Sequence, residues 1–168
     1  MPHRKASAFI LASLLLLLSV SGRSAALADD KEKLLGTWKL ISFFAEDVQT
    51  KQRTNIYGER PEGRIGFTPG RFFAVTTAEG RKAPQTLEEQ AAAYRTVTAY
   101  TGTWRVDGEK FITKVDVAWN PAWVGTEQVR FWRVEGNRLI ITSAPSSLPS
   151  PNGPDRTVIA HLVWEKEQ

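Results

Sequence analysis

The sequence predicts an all-β protein, an eight-stranded antiparallel up-and-down β-barrel with one short α-helix. Three observations predict this fold. Short segments alternate apolar and polar residues, most of these segments are joined by tight-turn sequences, and the exported part of the chain has about 140 residues. A closed barrel of this size removes exposed sheet edges and leaves an interior that can hold one small ligand.

The N-terminus has the three parts of a secretory signal. Arg4 and Lys5 give a basic start, residues 8–20 form an apolar run, and an Ala-Leu-Ala sequence ends at Ala28. The run has 13 residues, fewer than the roughly 20 that cross a hydrocarbon core as a helix. We therefore expect residues 1–28 to be a cleaved signal peptide and the mature protein to be periplasmic or secreted.

Residues 29–168 have the usual size of a single domain with one core. The signal carries Arg4, Lys5 and Arg23 and no acidic residue, so the mature chain holds 19 basic and 18 acidic residues. It contains no basic run that would indicate a nucleic-acid partner. No later segment is apolar enough to predict membrane insertion after the signal is cleaved.

The chain has no cysteine, and His161 is its one histidine outside the signal. The lack of cysteine excludes disulfides, thiol catalysis and thiolate metal sites. A single histidine argues against a metal centre built from several imidazoles. The sequence also has no Gly-rich phosphate loop and no serine elbow. We therefore expect neither a metal nor a cofactor.

The first strands are predicted between residues 36 and 77. Residues 36–44 are rich in aromatic and β-branched side chains, as a strand requires. Period-two alternation predicts four side chains on the inner face of this strand: Trp38, Leu40, Ser42 and Phe44. A polar connection over residues 47–62 leads to a predicted hairpin, in which residues 64–68 and 72–77 flank the Pro69-Gly70 turn.

One helix of about ten residues is predicted after Thr86. Thr86 and Glu89 match a capping box, in which each side chain accepts a hydrogen bond from the backbone N–H of the other residue. Leu87, Ala91 and Tyr94 share one stripe of the helix. We expect this stripe to cover a side of the barrel or to close one end, and the alternative is a mobile lid that gates a ligand.

The second half of the chain contributes five predicted strands. Residues 100–106 and 111–117 form a hairpin across Asp107-Gly108, and residues 128–134, 138–142 and 158–165 complete the count of eight. The predicted inner face of the 111–117 strand comprises Phe111, Thr113, Val115 and Val117. Residues 143–156 are rich in Pro, Ser, Gly and Asn, so they predict a mobile surface loop.

Four segments of the chain together resemble the bacterial lipocalin-like domain family. They are Gly36-Thr37-Trp38, residues 57–65, residues 100–108 and residues 120–130, and the resemblance extends from Gly36 to Trp164. It implies a lipocalin-type barrel without a defined substrate, and a few fungal relatives act in isomerising or cyclising steps. Relatives often carry histidines where this chain has Thr113 and Lys114, so a histidine acid or base is missing here. This difference favours binding over catalysis.

Nine residues are candidates to line a ligand pocket. Their side chains combine apolar area with a few polar groups that would orient a ligand. They are the predicted inner-face residues Trp38, Phe67, Tyr100, Trp104 and Thr113, the rim residues Trp119 and Trp123, and the polar residues Tyr57 and Arg130. The alternative for the aromatic residues is that they simply fill the core of a small barrel.

Arg130 and His161 each allow two interpretations. If Arg130 faces inward, its guanidinium needs a partner, because an unpaired buried charge is costly. The resemblance to lipocalins implies that it packs over Trp38 at the closed end, and the alternative is that it binds a ligand carboxylate through two hydrogen bonds. His161 alternates with Leu162 and Trp164, so we expect it to point outward into solvent rather than to act in catalysis.

The leading interpretation is an exported lipocalin-like protein that binds or carries a small hydrophobic molecule inside the barrel. One alternative is an isomerase or cyclase, in which Tyr57, Tyr100 and Arg130 polarise a carbonyl or supply a proton. A second alternative is an interaction module of the cell envelope, in which Trp119 and Trp123 form an exposed aromatic patch for a protein partner.

Overall fold

A computed structural model describes residues 30–148 and 154–167. The predicted signal peptide, residues 1–28, lies outside the described residues. Residues 30–34 are helical, and a 3₁₀ turn spans Pro121–Trp123. The remaining elements are β1 (Gly36–Asp47), β2 (Arg53–Asn55), β3 (Glu62–Phe67), β4 (Phe72–Thr77), α1 (Leu87–Arg95), β5 (Val97–Asp107), β6 (Lys110–Ala118), β7 (Glu127–Glu135), β8 (Arg138–Ser143), β9 (Ser146–Leu148) and β10 (Arg156–Lys166).

Eight antiparallel strands close into a barrel. The strands follow one another in the order β1, β3, β4, β5, β6, β7, β8 and β10, and β10 pairs back onto β1. This closing pair extends from Trp38 opposite Lys166 to Asp47 opposite Val158. The prediction of an eight-stranded antiparallel barrel with one short helix is therefore confirmed.

Two short strands lie beside the barrel in segments that the sequence predicts as irregular. β2 pairs with β1 through residues 44–46, and β9 pairs with β10 through residues 156–158. The prediction of a simple surface loop over residues 143–156 is thus wrong for Ser146–Leu148. Backbone N–H and C=O groups can pair whatever the side chains are, so a polar composition did not reveal these strands. Residues 149–153 lie outside the described residues.

One extra residue in β1 reverses which side chains face inward. Leu40 lies opposite Trp164 and Ser42 lies opposite Val163, so Ile41 forms a bulge. A shift of one residue moves every later side chain to the other face of a strand. The prediction of an inward-facing Phe44 is therefore wrong. Phe43 faces the interior, and Phe44 stacks outside on the ring of His161 at 4.8 Å between ring centres.

A second bulge has the same effect in β6. Thr101 pairs with Val117 and Gly102 pairs with Val115, which leaves Asp116 as the extra residue. Val117 is 62% exposed, so its predicted place on the inner face is wrong. The two strands approach so closely here that a Cβ atom on Gly102 would lie 2.1 Å from the carbonyl oxygen of Lys114. Only a glycine fits at this position without a shift of the backbone.

Aromatic side chains fill one end of the barrel, which we call the closed end. The Trp38 Nε1–H donates to the Leu34 carbonyl at 2.9 Å, so the helical residues 30–34 cover this end. The ring of Phe67 contacts those of Phe72, Trp104 and Phe111 at 4.9–5.3 Å between ring centres. Each buried aromatic removes about 150–250 Å² of surface from water. This end is therefore a packed core.

Helix α1 lies on the outside of the opposite end. The predicted capping box is present, with the Glu89 N–H donating to Thr86 Oγ1 at 3.2 Å. No residue of the helix is buried, and Leu87 is 83% exposed. The prediction that the stripe of Leu87, Ala91 and Tyr94 covers a side of the barrel or closes one end is therefore wrong. The Tyr94 hydroxyl ties the helix to the barrel by donating to the Trp119 carbonyl at 3.1 Å.

Candidate functional site

A cavity of about 130 Å³ lies inside the barrel, on the side away from the closed end. Its floor is formed by apolar residues of the core, and its upper wall includes several hydroxyl groups and one charge. The lining residues are Phe43, Ile65, Ala74, Thr76, Thr98, Tyr100, Phe111, Trp123, Arg130, Ile141, Ser143, Ala160, Leu162 and Trp164.

The structure brings three of the nine candidate residues together at this cavity: Tyr100, Trp123 and Arg130. The other six lie elsewhere. Trp38, Phe67 and Trp104 belong to the closed end, where they act as core filler. Thr113 is completely buried but does not line the cavity, and its hydroxyl has no hydrogen-bond partner.

Tyr57 and Trp119 support the cavity wall from behind. The Tyr57 ring meets Phe43 edge-on at 5.1 Å, and its hydroxyl hydrogen-bonds to Thr98 Oγ1 at 2.9 Å. The Trp119 ring packs edge-on against Trp123 at 4.7 Å. Both residues therefore fix the orientation of a lining side chain without lining the cavity themselves.

Small residues create the space that the sequence did not indicate. Ala74 on β4 and Ala160 on β10 line the cavity among large rings, and Ser143 lies at the end of β8. The Ser143 hydroxyl accepts a hydrogen bond from the Ala160 N–H at 3.0 Å, which joins two parts of the wall. Alternation along the last strand could have identified Leu162 and Trp164, whereas the bulge in β1 concealed Phe43.

Arg130 is the one charged group among the cavity-lining residues. It donates from Nη1 to the Val129 carbonyl at 2.8 Å and from Nη2 to Gln128 Oε1 at 3.2 Å. Within residues 30–148 and 154–167 it forms no ion pair with a carboxylate. Because a guanidinium carries five N–H donors, a large part of its donor capacity remains for a ligand.

The predicted packing of Arg130 over Trp38 is wrong. Lys166 occupies that place, with its Nζ atom 5.1 Å from the centre of the Trp38 ring. The register of the strands explains the difference. Lys166 pairs with Trp38 across β1 and β10, whereas Arg130 pairs with Phe111 and Ser143 in the middle of the opposite wall.

Tyr100 brings a hydroxyl group to the same cavity. Burial raises the pKa of this phenol, and the nearby positive charge of Arg130 lowers it to a smaller extent. The hydroxyl therefore stays protonated at neutral pH and can donate a hydrogen bond. The described residues provide it with no hydrogen-bond partner. Its ring is fixed by an edge-on contact with Trp123 at 5.3 Å.

The cavity lining includes no carboxylate and no imidazole among the described residues. These are the groups that most often act as a general base near neutral pH. His161 points outward as predicted but is half-buried under Phe44 rather than fully solvated, and burial lowers its pKa. The cavity can thus bind and orient a molecule, but its walls lack a conventional base.

The described parts of the chain contain no group of three or more His, Cys, Asp or Glu side chains placed to hold a metal ion. Among their helices, none has the length and apolar character that a membrane crossing requires.

Comparison with known proteins identifies the family. The sequence profile of the lipocalin-like domain family matches residues 35–167. No curated protein matches the chain significantly. A crystal structure of an uncharacterized protein from Bacteroides eggerthii DSM 20697 matches with a TM-score of 0.39 and 10% identity, over 80% of this chain and 99% of that one. The resemblance predicted from the sequence is thus confirmed, and the chain belongs to the lipocalin-like domain family.

Proposed function

We propose that this protein is an exported binder or carrier of a small hydrophobic molecule, which it holds in the barrel cavity. The observation that carries the proposal is the cavity of about 130 Å³ beside the packed core of the closed end. A packed interior normally leaves few voids larger than a water molecule. Space of this size, kept open by Ala74 and Ala160, therefore supports a binding role.

The size of the cavity restricts the part of a ligand that enters it. An engineered protein cavity of about 150 Å³ accepts one benzene molecule. The cavity here is similar in volume and has rings of Phe43, Phe111 and Trp164 in its wall. We therefore expect one ring or a short branched chain inside the barrel, while any larger part of the ligand extends towards Trp123 and the mouth.

Export belongs to the same proposal. The basic start, apolar run and Ala-Leu-Ala sequence at the N-terminus support transport out of the cytoplasm followed by cleavage after Ala28. Mass spectrometry of the protein from the cell envelope and from the medium would determine the mature N-terminus. A chain that starts at Asp29 supports the proposal, and a full-length chain retained in the cytoplasm contradicts it.

The two other candidate functions receive less support. An isomerase would need Tyr57, Tyr100 and Arg130 to act on one substrate, but Tyr57 does not line the cavity and its hydroxyl is already bonded to the lining residue Thr98. An interaction module would need two exposed indoles, but Trp123 lines the cavity and both rings are half-buried.

A cavity-filling substitution tests the binding proposal. Ala160→Leu places a larger side chain in the cavity, whereas the control Ala99→Leu adds the same atoms on β5 next to Tyr100, at a position outside the lining. Each protein is purified from its own cells and weighed by native mass spectrometry. We expect a bound small molecule on the wild type and on Ala99→Leu but not on Ala160→Leu. An added mass that persists in Ala160→Leu, or is absent from the wild type, would contradict the proposal.

A further inference from the structure

We infer that the cavity selects a small monocyclic carboxylate, whose charge is held by Arg130 and Tyr100. The inference rests on the proposed function, because it names the class of molecule for the same cavity. The charge of Arg130, the hydrogen-bond donors on the cavity wall and the volume of the cavity support it.

The charge of Arg130 is not balanced by a carboxylate among the described residues. Six arginines with well-exposed side chains form ion pairs with carboxylates: Arg53, Arg60, Arg64, Arg71, Arg105 and Arg133. Other described arginines also lack such a pair, but Arg130 is the one that lines the cavity. Arg130 is less exposed, and among the described residues no carboxylate pairs with it. A partly buried cation is stabilised most by an anion in contact with it. A bound carboxylate would supply that anion.

Arg130 and Tyr100 can both donate hydrogen bonds to a ligand in the cavity. An arginine guanidinium has no acceptor atom, and its planar fork matches the two oxygens of a carboxylate. The protonated Tyr100 hydroxyl has no hydrogen-bond partner among the described residues and can donate to the same group. A ligand with a positive charge would be repelled by Arg130, and a neutral amide offers one uncharged acceptor oxygen where a carboxylate offers two that share a negative charge.

The rest of the cavity is suited to one ring. Its floor and walls are formed mainly by aromatic and aliphatic side chains, including Phe43, Ile65 and Leu162. The volume of about 130 Å³ is close to that of an engineered cavity of about 150 Å³ that binds benzene. A monocyclic carboxylate therefore fits with its ring on the floor and its charge at Arg130.

Three probes that share one ring test the inference on the intact wild-type protein. Benzoate, benzamide and benzylamine are titrated at neutral pH, and binding is measured by calorimetry. We expect benzoate to bind about tenfold or more tightly than benzamide, since hydrogen bonds to charged groups are stronger than neutral ones. Benzylamine should bind most weakly. Equal binding of benzoate and benzamide would overturn the inference but leave the proposed function in place.

A pair of variants locates the selectivity. Arg130→Gln should remove the preference for benzoate over benzamide, whereas Arg133→Gln should keep it, because Arg133 is exposed and paired with Glu135. Circular dichroism confirms that each variant is folded. Retention of the preference in Arg130→Gln would overturn the inference. If no probe binds to the wild type the inference also fails, and if native mass spectrometry then detects no bound molecule, the proposed function fails with it.

Discussion

The ammonium group of Lys166 lies over the indole ring of Trp38, with 5.1 Å between Nζ and the ring centre. These residues are directly opposite one another in the pair that joins the last barrel strand to the first. The contact therefore covers the closed end of the barrel at the point where the chain closes on itself. It also leaves Arg130 free to face the cavity.

Replacing Lys166 with alanine should weaken the closure of the barrel. We expect Lys166→Ala to lower the free energy of unfolding by about 0.5–1 kcal/mol, the range of an exposed cation–π contact. Chemical denaturation measures the change. The control is Lys39→Ala, which removes another exposed lysine from β1. Equal stabilities of the two variants would contradict a specific role for the contact with Trp38.

The close approach of β5 and β6 should make Gly102 difficult to replace. A Cβ atom at this position would lie 2.1 Å from the backbone oxygen of Lys114, so the strands must separate. We expect Gly102→Ala to destabilise the protein by about 2–3 kcal/mol. Gly70→Ala is the matched control, because nothing lies within 4 Å of a Cβ atom there. Thermal unfolding of both variants distinguishes the two cases, and an unchanged melting temperature for Gly102→Ala would contradict the described strand packing.

The buried hydroxyl of Thr113 should cost stability rather than provide it. Its Oγ1 atom is inaccessible and has no hydrogen-bond partner. Thr113→Val keeps the shape and removes the polar atom, so we expect it to stabilise the protein by about 1 kcal/mol. Thr98→Val makes the same change where the hydroxyl is bonded to Tyr57 at 2.9 Å, and it should destabilise. Urea denaturation that ranks the variants in the reverse order would show that Thr113 has a partner.

The half-buried His161 should make the protein less stable as the pH falls. Burial lowers the pKa of its imidazole below the ordinary value near 6.5, the charge of Glu46 opposes this, and the charges of Arg53 and Arg133 lower the pKa further. The unfolded chain therefore binds a proton first, so stability is lost as the pH drops below about 6.5. His161→Phe retains a ring against Phe44 and should reduce this slope. Denaturation curves between pH 7.5 and 5.5 test it, and an identical slope would contradict the assignment.

The alternating pattern was sufficient to predict the barrel. Eight strands, the Thr86 capping box and three cavity residues all follow from local sequence. The predictions of which side chains face inward are wrong beyond Ile41 in β1 and beyond Asp116 in β6. A bulge depends on how a strand pairs with its neighbours, which the alternating pattern does not show. The same long-range register decides that Lys166 rather than Arg130 covers Trp38. Local patterns do not contain that information.

The indole N–H signals of the six tryptophans provide the most direct test of binding in the barrel. Trp123 and Trp164 line the cavity, whereas Trp38 and Trp104 are hydrogen-bonded at the closed end. In a two-dimensional NMR titration with benzoate, we predict that the Trp123 and Trp164 signals shift while those of Trp38 and Trp104 stay in place. Unchanged signals, or shifts confined to Trp119 and Trp132, would contradict the inference that the barrel cavity binds a monocyclic carboxylate.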